Sequence, residues 1–223
     1  MQSSSITTNF VKFHLSTDFR NYSSLAQLQA VWWTWQTVMW WSPTISYWSS
    51  WVTVSWSSYS YWWVYAEIPL TINSSNKIIM KFTWYLRWTN KCDMHLWSTS
   101  KVNLQNNNSY ELWYWQNSWW SRTDQWLSAA KYVNWTKYWW TFEMYRNQAW
   151  SEWEFSAEVQ IDLPNNTIKW ISYAPNSEVW SMEWQLNTEW YNAILSAKYF
   201  IVWLANYESP KTQNIYTAEI TIK

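Results

Sequence analysis

The chain of 223 residues contains no glycine. An average soluble protein is about 7% glycine, which predicts roughly 16 glycines at this length. Tryptophan occurs 28 times instead, and many of these residues stand where the sequence predicts a turn, as in Asn134-Trp135-Thr136, Trp40-Trp41-Ser42-Pro43 and Trp119-Trp120-Ser121. Hairpin turns need φ > 0, which glycine adopts without steric cost and a bulky aromatic residue does not. The missing glycine and the excess tryptophan therefore point to one cause.

We interpret most of the tryptophans as standing in for glycine. A codon table applied to the wrong lineage would produce this pattern, because UGA is read as tryptophan in some genetic codes and as glycine in others. Under this interpretation the sequence is mis-translated, or synthetic, as written. The alternative is a chain whose indoles are all real, which would expose large apolar patches and tend to aggregate.

Cysteine, charge and long apolar runs are also scarce. The single cysteine, Cys92, excludes an intrachain disulfide. Charged residues make up 13% of the chain, with 15 basic and 15 acidic residues, so no basic surface for nucleic acid is predicted. No run of 18 apolar residues predicts a membrane span. The N-terminal residues lack the basic and apolar regions of a signal peptide, so none is expected in this chain.

Hydrophobicity alternates with a period of two along most of the chain, which is typical of half-buried antiparallel strands. The clearest case is Phe155–Leu163, followed by the turn Pro164–Thr167 and a second strand up to Tyr173. We predict an all-β antiparallel β-sandwich or jelly roll with few or no helices, formed as a single domain by residues 1–223. Residues 32–63 are expected to be a loop-rich or flexible segment.

Helical signals are weak. Tyr22–Ala30 and Asp124–Tyr132 are long enough for two or three helical turns, and no capped amphipathic helix of 12 residues is present. Ala193–Leu204 is apolar enough to be interpreted as one strand. The other predicted strands are Phe10–Leu15, Val52–Ser55, Val64–Leu70, Ile78–Leu86, Tyr110–Leu112, Thr141–Arg146, Ile168–Tyr173 and Ile215–Ile222.

Residues able to carry out catalysis or bind metal are few. His95 and Asp93 share a strand face and are the best candidate metal ligands, but we favour the alternative that they are solvent-facing strand residues, and we predict no metal and no cofactor. Glu152 and Glu154 also share a strand face. Two carboxyl groups in this arrangement can reach the separation of about 5–5.5 Å that retaining glycosidases use. The alternative for this pair is the solvated face of a sheet.

Tyrosine is abundant, with 16 residues. Aromatic rings stack on sugar faces, and Tyr/Ser-rich surfaces make adaptable binding faces. The alternative for each tyrosine is cross-strand pairing within a sheet. The candidate ligand-binding residues are Tyr47, Tyr59, Tyr61, Tyr110 and Tyr114.

The hairpin Phe155–Tyr173 resembles the central hairpin of concanavalin-A-like sandwiches of the lectin and laminin-G type. A strand ending in Asp162 runs through an Asn-rich turn into a strand that begins Thr167-Ile168. The runs Tyr199–Tyr207 and Ile215–Ile222 resemble the closing strands of that family, so the resemblance covers about 70 C-terminal residues. It implies a sandwich of the kind found in lectins, carbohydrate-binding modules and phage tail or virion proteins, and it supplies no calcium ligands.

Two functions follow as expectations. The first is a non-enzymatic structural or adhesion component of a phage virion or cell-surface assembly, with homo-oligomeric protein contacts and surface glycan as its partners. Its expected location is the virion, the cell surface or the extracellular space, without nucleic acid binding or membrane insertion. The alternative is an extracellular carbohydrate-active enzyme of the glycoside hydrolase kind on the same fold, with Glu152 and Glu154 as its catalytic pair.

Overall fold

A computed structural model describes residues 10–21, 27, 33–36, 44–48, 51–56, 60–87, 90–98, 109–118, 123–133, 136–148, 152–173, 179–206 and 211–223. Some strand residues in these ranges are placed by their backbone alone. The strands are Phe13–Asp18 (β1), Trp33–Gln36 (β2), Thr44–Trp48 (β3), Trp51–Trp56 (β4), Ser60–Glu67 (β5), Lys77–Arg87 (β6), Asn90–Trp97 (β7), Ser109–Ser118 (β8), Thr123–Val133 (β9), Thr136–Gln148 (β10), Glu152–Asp162 (β11), Thr167–Tyr173 (β12), Val179–Gln185 (β13), Tyr199–Asn206 (β14) and Lys211–Ile222 (β15). A 3-10 helix spans Phe19–Asn21, and the α-helix Thr188–Leu195 is α1.

The strands form two sheets. An eight-stranded sheet has the order β13-β12-β11-β6-β15-β4-β3, with β1 also paired to β15, and a seven-stranded sheet has the order β10-β9-β8-β7-β14-β5-β2. Each described pairing is antiparallel. The prediction of an all-β antiparallel sandwich is confirmed. Residues 32–63, predicted to be loop-rich, contribute β3 and β4 to the first sheet and β2 and the start of β5 to the second.

One core fills the space between the sheets, because alternate residues of each strand point inward. The eight-stranded sheet contributes residues such as Met80 and Phe82, and the seven-stranded sheet contributes residues such as Leu112 and Phe200, all with 0% exposure. Burial of each such side chain stabilises the fold by about 1.5–3 kcal/mol. The ring of Tyr114 lies across the core against the ring of Trp170, with the two centroids 5.4 Å apart.

The structure describes the side chains of eight tryptophans, and each lies in a strand or in α1: Trp84, Trp97, Trp113, Trp126, Trp170, Trp180, Trp184 and Trp190. The expectation that tryptophans occupy turns rather than the core is wrong for Trp84, Trp170 and Trp190, which belong to the main core. Asn166, with φ of 56°, is the one non-glycine residue with positive φ within the described ranges. The turn tryptophans at 40, 41, 119, 120 and 135 lie outside the described residues.

The predicted hairpin at Phe155–Tyr173 is present as β11 and β12. The carboxylate of Asp162 ends β11 and accepts hydrogen bonds from the backbone N–H (3.2 Å) and side-chain amide (2.9 Å) of Asn165. Asn166 takes the left-handed conformation, which asparagine tolerates better than most residues. Local turn chemistry therefore determines this connection.

Two secondary-structure predictions are wrong. Asp124–Tyr132 forms part of β9 instead of a helix, because it pairs on both sides with β8 and β10. Ala193–Leu195 belongs to α1, and the strand predicted from Ala193 begins only at Tyr199. Tyr22–Ala30 lies outside the described residues except for residue 27. Within the described ranges, no helix has the length and apolar character needed to cross a membrane.

A cap at its N-terminus accounts for α1. The side-chain oxygen of Asn187 accepts a hydrogen bond of 2.8 Å from the backbone N–H of Trp190, which satisfies one of the helix's unpaired donors. Trp190, Ala193 and Ile194 are buried, and their spacing places them on one face of the helix. The helix packs against β8 and β9 and closes part of the core.

The outer face of the eight-stranded sheet is polar. Lys77 pairs with Asp162, and Lys81 Nζ lies 3.5 Å from Glu158 Oε2. The lysine side chains of both pairs are partly exposed and their carboxylate partners less so, and partly exposed ion pairs of this kind contribute little to stability.

Substitution on β11 tests the orientation of this strand. Ile161 is 1% exposed, so Ile161→Ala should destabilise the fold by about 2–5 kcal/mol through lost burial and a residual cavity. Gln160→Ala, on the opposite face of the same strand, should change the free energy of unfolding by less than about 0.5 kcal/mol. Urea denaturation measures both, and equal effects would contradict the assigned orientation.

Candidate functional site on the outer face of the seven-stranded sheet

The seven-stranded sheet differs from its partner because the described residues on the outer face of its strands β7 and β8 are also buried. On β7, Met94 and Leu96 point into the main core, so Asp93, His95 and Trp97 lie on the outer face. These three residues are 1%, 1% and 4% exposed. An antiparallel sheet commonly has one solvated face, so buried charges on this face require an explanation.

Strand register places the neighbours of these residues in rows across the sheet. His95 pairs with Ile201 on β14 and with Trp113 on β8. Trp97 pairs with Tyr199 on β14 and with Glu111 on β8. The outer face around His95 therefore combines aromatic and acidic residues from three adjacent strands.

Glu111 and His95 form the centre of this face. His95 Nδ1 lies 2.7 Å from Glu111 Oε1, and the Tyr132 hydroxyl donates a hydrogen bond of 2.9 Å to Glu111 Oε2. On the other side of the imidazole, His95 Nε2 lies 3.6 Å from Asp93 Oδ2, an ion-pair contact longer than a hydrogen bond. Asp93, His95, Glu111 and Tyr132 are called the acidic-histidine cluster below.

The cluster favours the charged form of its imidazole. Burial lowers the pKa of His95, but the contacts with Asp93 and Glu111 outweigh burial, so the net pKa is raised above its usual value of 6.5. Burial, and then the charge and hydrogen bond of Glu111, raise the pKa of the Tyr132 phenol. The phenol therefore remains a hydrogen-bond donor, and the imidazolium is paired as a buried charge must be.

Aromatic rings surround the cluster. The Trp97 ring is stacked on the His95 ring with centroids 5.7 Å apart, and lies 6.5 Å from the Tyr132 ring. Trp97 also packs with Ile201 and with the half-buried Tyr65 and Tyr199. The Tyr65 and Tyr199 rings meet edge to face at 5.9 Å. These two tyrosines are the more accessible part of the face.

The alternative expectation that His95 and Asp93 face solvent is wrong, because both are buried. Their juxtaposition with Glu111 does not make a metal site: within the described ranges, no group of three or more His, Cys, Asp or Glu side chains is arranged to hold a metal ion. In addition, His95 Nδ1 is already occupied by Glu111. The residues present therefore do not fit a metal ion.

The candidate tyrosines are dispersed. Tyr114 is 0% exposed in the main core, where it packs against Trp84 and Trp170. Tyr110 is half-buried, with Lys131 Nζ 5.5 Å from its ring centroid, and shares the inward-facing side of β8 with Tyr114. Neither residue lies on the outer face of the seven-stranded sheet.

The other candidates are described less fully. Tyr47 lies on β3 and Tyr61 on β5, with their side chains outside the described part, and Tyr59 lies wholly outside it. Glu152 and Glu154 are placed by backbone alone, opposite Arg87 and Tyr85 on β6. Their side chains lie outside the described part of the structure.

Sequence reasoning missed Glu111, Tyr132 and Trp97 as members of a site. The available signal was the alternation Tyr110-Glu111-Leu112, which places a carboxylate opposite an inward-facing Leu112. The cross-strand partners of Glu111 lie 16 and 21 residues away and depend on register.

No protein-family model matches the chain, and no curated protein matches its sequence. Solved structures match its fold. A lectin from Bauhinia forficata in complex with GalNAc aligns with a TM-score of 0.57 and 10% identity, covering 95% of this chain and 99% of that chain. The galactose complex of lectin UEA-II aligns with a TM-score of 0.58 and 8% identity, covering 96% of this chain and 100% of that chain. Arcelin-5, a lectin-like defence protein from Phaseolus vulgaris, aligns with a TM-score of 0.58 and 11% identity, covering 94% of this chain and 98% of that chain.

These likenesses establish the class of fold. The chain has the concanavalin-A-like β-sandwich fold seen in legume lectins. The similarity spans nearly the whole chain, whereas the sequence resemblance was confined to the C-terminal part. At 8% to 11% identity it establishes the fold alone.

The acidic-histidine cluster predicts a pH dependence of stability. Because the folded pKa of His95 is above its unfolded value, its stabilising effect is complete below about pH 6.5 and is lost as pH rises through the folded pKa. The free energy of unfolding should therefore fall on the alkaline side, by up to about 1.4 kcal/mol per pH unit.

Glu111→Gln should flatten this alkaline decline, because it removes one of the two carboxylates that hold His95 charged. Glu183→Gln, on the exposed edge strand β13, is the matched control and should retain the decline. Urea denaturation between pH 6 and 9 measures the free energy of unfolding of each variant. An unchanged slope in Glu111→Gln would show that the cluster does not hold the proton.

Proposed function

We propose that the protein is a non-enzymatic glycan-binding module of the lectin type, and that it binds through the outer face of the seven-stranded sheet. The observation that carries the proposal is a pair of partly exposed aromatic rings beside a buried, hydrogen-bonded cluster of charged side chains on this face. Tyr65 and Tyr199 are half-buried beside the acidic-histidine cluster, and their rings keep a defined edge-to-face geometry.

This combination suits sugars for chemical reasons. Ligand sites are lined mainly by apolar and aromatic side chains, with a few polar groups in fixed positions. Aromatic rings pack against the C–H faces of pyranose rings, while carboxylate oxygens accept hydrogen bonds from hydroxyls. Glu111 has both oxygens oriented by His95 and Tyr132, so this part of the face is rigid before any ligand arrives.

The similar structures add support. Two of them are lectins in complex with GalNAc and with galactose. The chain matches them over almost its full length, which supports a binding role of the same kind.

The proposal includes an assembly. β13 is an edge strand, with Val179 61% and Met182 37% exposed. An unprotected edge is a template for pairing with another strand, and closed symmetric assemblies are the usual result for identical chains. We therefore infer a homo-oligomer. Together with the low charge and single cysteine, this supports adhesion at a virion, cell-surface or extracellular location.

Substitution of the accessible tyrosines tests the ligand face. Tyr65→Ala and Tyr199→Ala should each weaken binding to a glycan captured on an array by about tenfold, equivalent to about 1.4 kcal/mol. Tyr173→Ala, a half-buried tyrosine on the outer face of the eight-stranded sheet, is the matched control and should leave affinity unchanged. Calorimetric titration measures each affinity.

The same array should be assayed for hydrolysis. Binding without turnover is the expected result. Turnover that Glu152→Gln or Glu154→Gln abolishes would contradict the proposal and favour the enzyme. Equal loss of affinity in all three tyrosine variants would contradict the assigned face.

A further inference from the structure

The strand β13 ends the eight-stranded sheet without the usual protection against pairing with another strand. Within the described ranges it pairs with β12 alone, and that pairing runs through all seven of its residues without a bulge. Natural edges are commonly protected by proline, lysine, bulges or inward-pointing charges. The sequence of β13, Val-Trp-Ser-Met-Glu-Trp-Gln, contains neither proline nor lysine, and its single charged side chain, Glu183, is exposed. This edge is therefore able to accept a further strand.

Most side chains of β13 are open to solvent. Five of the seven are exposed, including Val179 at 61% and Met182 at 37%. Trp180 and Trp184 pack against the main core, so the even-numbered residues of this strand face inward. Met182 is thus an apolar side chain on the core side of the sheet that remains exposed. A second chain placed along this edge would remove apolar surface from water, which is favourable.

A backbone hydrogen bond identifies which residues of β13 can pair at the open edge. The backbone N–H of Leu186, directly after β13, donates a hydrogen bond of 2.8 Å to the carbonyl of Asn166, directly before β12. In an antiparallel ladder, the backbone groups of alternate residues point to opposite sides. The even-numbered residues of β13 therefore bond to β12, and the odd-numbered residues direct their backbone groups to the open edge.

Two copies of this edge can pair only with odd-numbered residues opposite odd-numbered residues, because these residues direct their backbone groups outward. Antiparallel pairing then follows a two-fold axis perpendicular to the sheet, and the core-facing side chains stay on one side in both copies. Pairing centred on Met182 uses the whole of both strands and places Ser181 opposite the partner's Glu183. Centring on Glu183 would place two like charges opposite each other, which is destabilising.

We propose that two copies of the chain pair through their β13 strands in antiparallel register about Met182, so that their eight-stranded sheets become one continuous sheet. Met182 then packs against the partner's Met182 on the inner face, and Trp180 lies opposite the partner's Trp184. Residues in such positions approach to about 4.5 Å between Cα atoms, which brings these apolar side chains into contact. The pairing specifies the contact of the homo-oligomer inferred above, and it rests on that part of the proposed function.

The symmetry of this dimer determines where the proposed ligand faces point. Because the two-fold axis is perpendicular to the continuous sheet, both seven-stranded sheets lie on the same side of it. Their outer faces, each with Tyr65 and Tyr199, point away from the dimer in the same direction. The dimer can therefore bind two glycans of one surface at once, and linked sites of this kind exceed a single site in affinity by about 10²–10⁴-fold.

Proline at position 181 tests the pairing. Ser181→Pro removes a backbone N–H at the open edge and leaves the ladder with β12 intact, since proline is tolerated where the N–H faces outward. The dissociation constant of the dimer should rise by about tenfold or more. Ser181→Ala, the matched control, keeps the N–H and should leave this constant unchanged. Sedimentation velocity over a concentration series measures both.

Two charge variants test the register. Ser181→Glu should raise the dissociation constant by about tenfold, because the new carboxylate lies opposite the partner's Glu183. Adding Glu183→Lys to the same chain should restore the dimer, since opposite charges then face each other. A double variant that dissociates as readily as Ser181→Glu would overturn the register about Met182.

The oligomeric state separates the pairing from the rest of the proposed function. A parent chain that sediments as a monomer at every concentration would overturn the pairing and the homo-oligomer together. An oligomer that Ser181→Pro weakens no more than Ser181→Ala would overturn the pairing through β13 and leave the homo-oligomer standing. A dimer that is weakened as expected but binds no glycan would support the pairing and overturn the glycan-binding function.

Binding to a dense glycan array tests the direction of the two ligand faces. Ser181→Pro should bind the array at least about tenfold more weakly than the parent chain, while its affinity for a soluble monovalent oligosaccharide should stay the same. Equal binding of the two chains to the array, at a concentration where only the parent is dimeric, would overturn the common direction of the faces.

Discussion

Alternation along antiparallel strands is the constraint on which this structure depends. Each strand must present one face to the shared core, so its remaining side chains form the two outer faces of the sandwich. The eight-stranded sheet satisfies this with ion pairs such as that of the largely buried Glu158 with Lys81, whose side chain is partly exposed. The seven-stranded sheet does not, because Asp93 and His95 on its outer face are each 1% exposed. Unpaired charges there would be costly, so His95 must be held between two carboxylates.

The sequence predicts the fold where local signals and long-range pairing agree. The hairpin from Phe155 to Tyr173 combines clear alternation with an Asn-rich turn, and both survive in β11 and β12. The segment Asp124–Tyr132 is ambiguous locally, and pairing with strands on both sides decides it as β9. The helix α1 has only eight residues, and its apolar spacing merges with the strand that follows. Its signal was the capping residue Asn187.

The candidate site was less predictable than the fold. Shared alternation places Asp93 and His95 on one face, and this much can be derived from the sequence. Their burial cannot, because it depends on what packs outside the sheet. The contacts to Glu111 and Tyr132 cross strands diagonally, so one residue of register shift would remove them. Tyr114 is a candidate ligand contact by residue type, but its even-numbered spacing from Leu112 on β8 indicates an inward-facing position.

The central claim is that the outer face of the seven-stranded sheet, organised by the pair His95–Glu111, is the ligand face. Nuclear magnetic resonance titration of the isotopically labelled protein with an oligosaccharide ligand identifies the residues of the binding face directly. Amide shifts should change on β7, β8 and β14 around Trp97, Glu111 and Tyr199, with little change on β11 and β12. Changes concentrated on β11 and β12 instead, around the polar face of Glu158, would contradict the account.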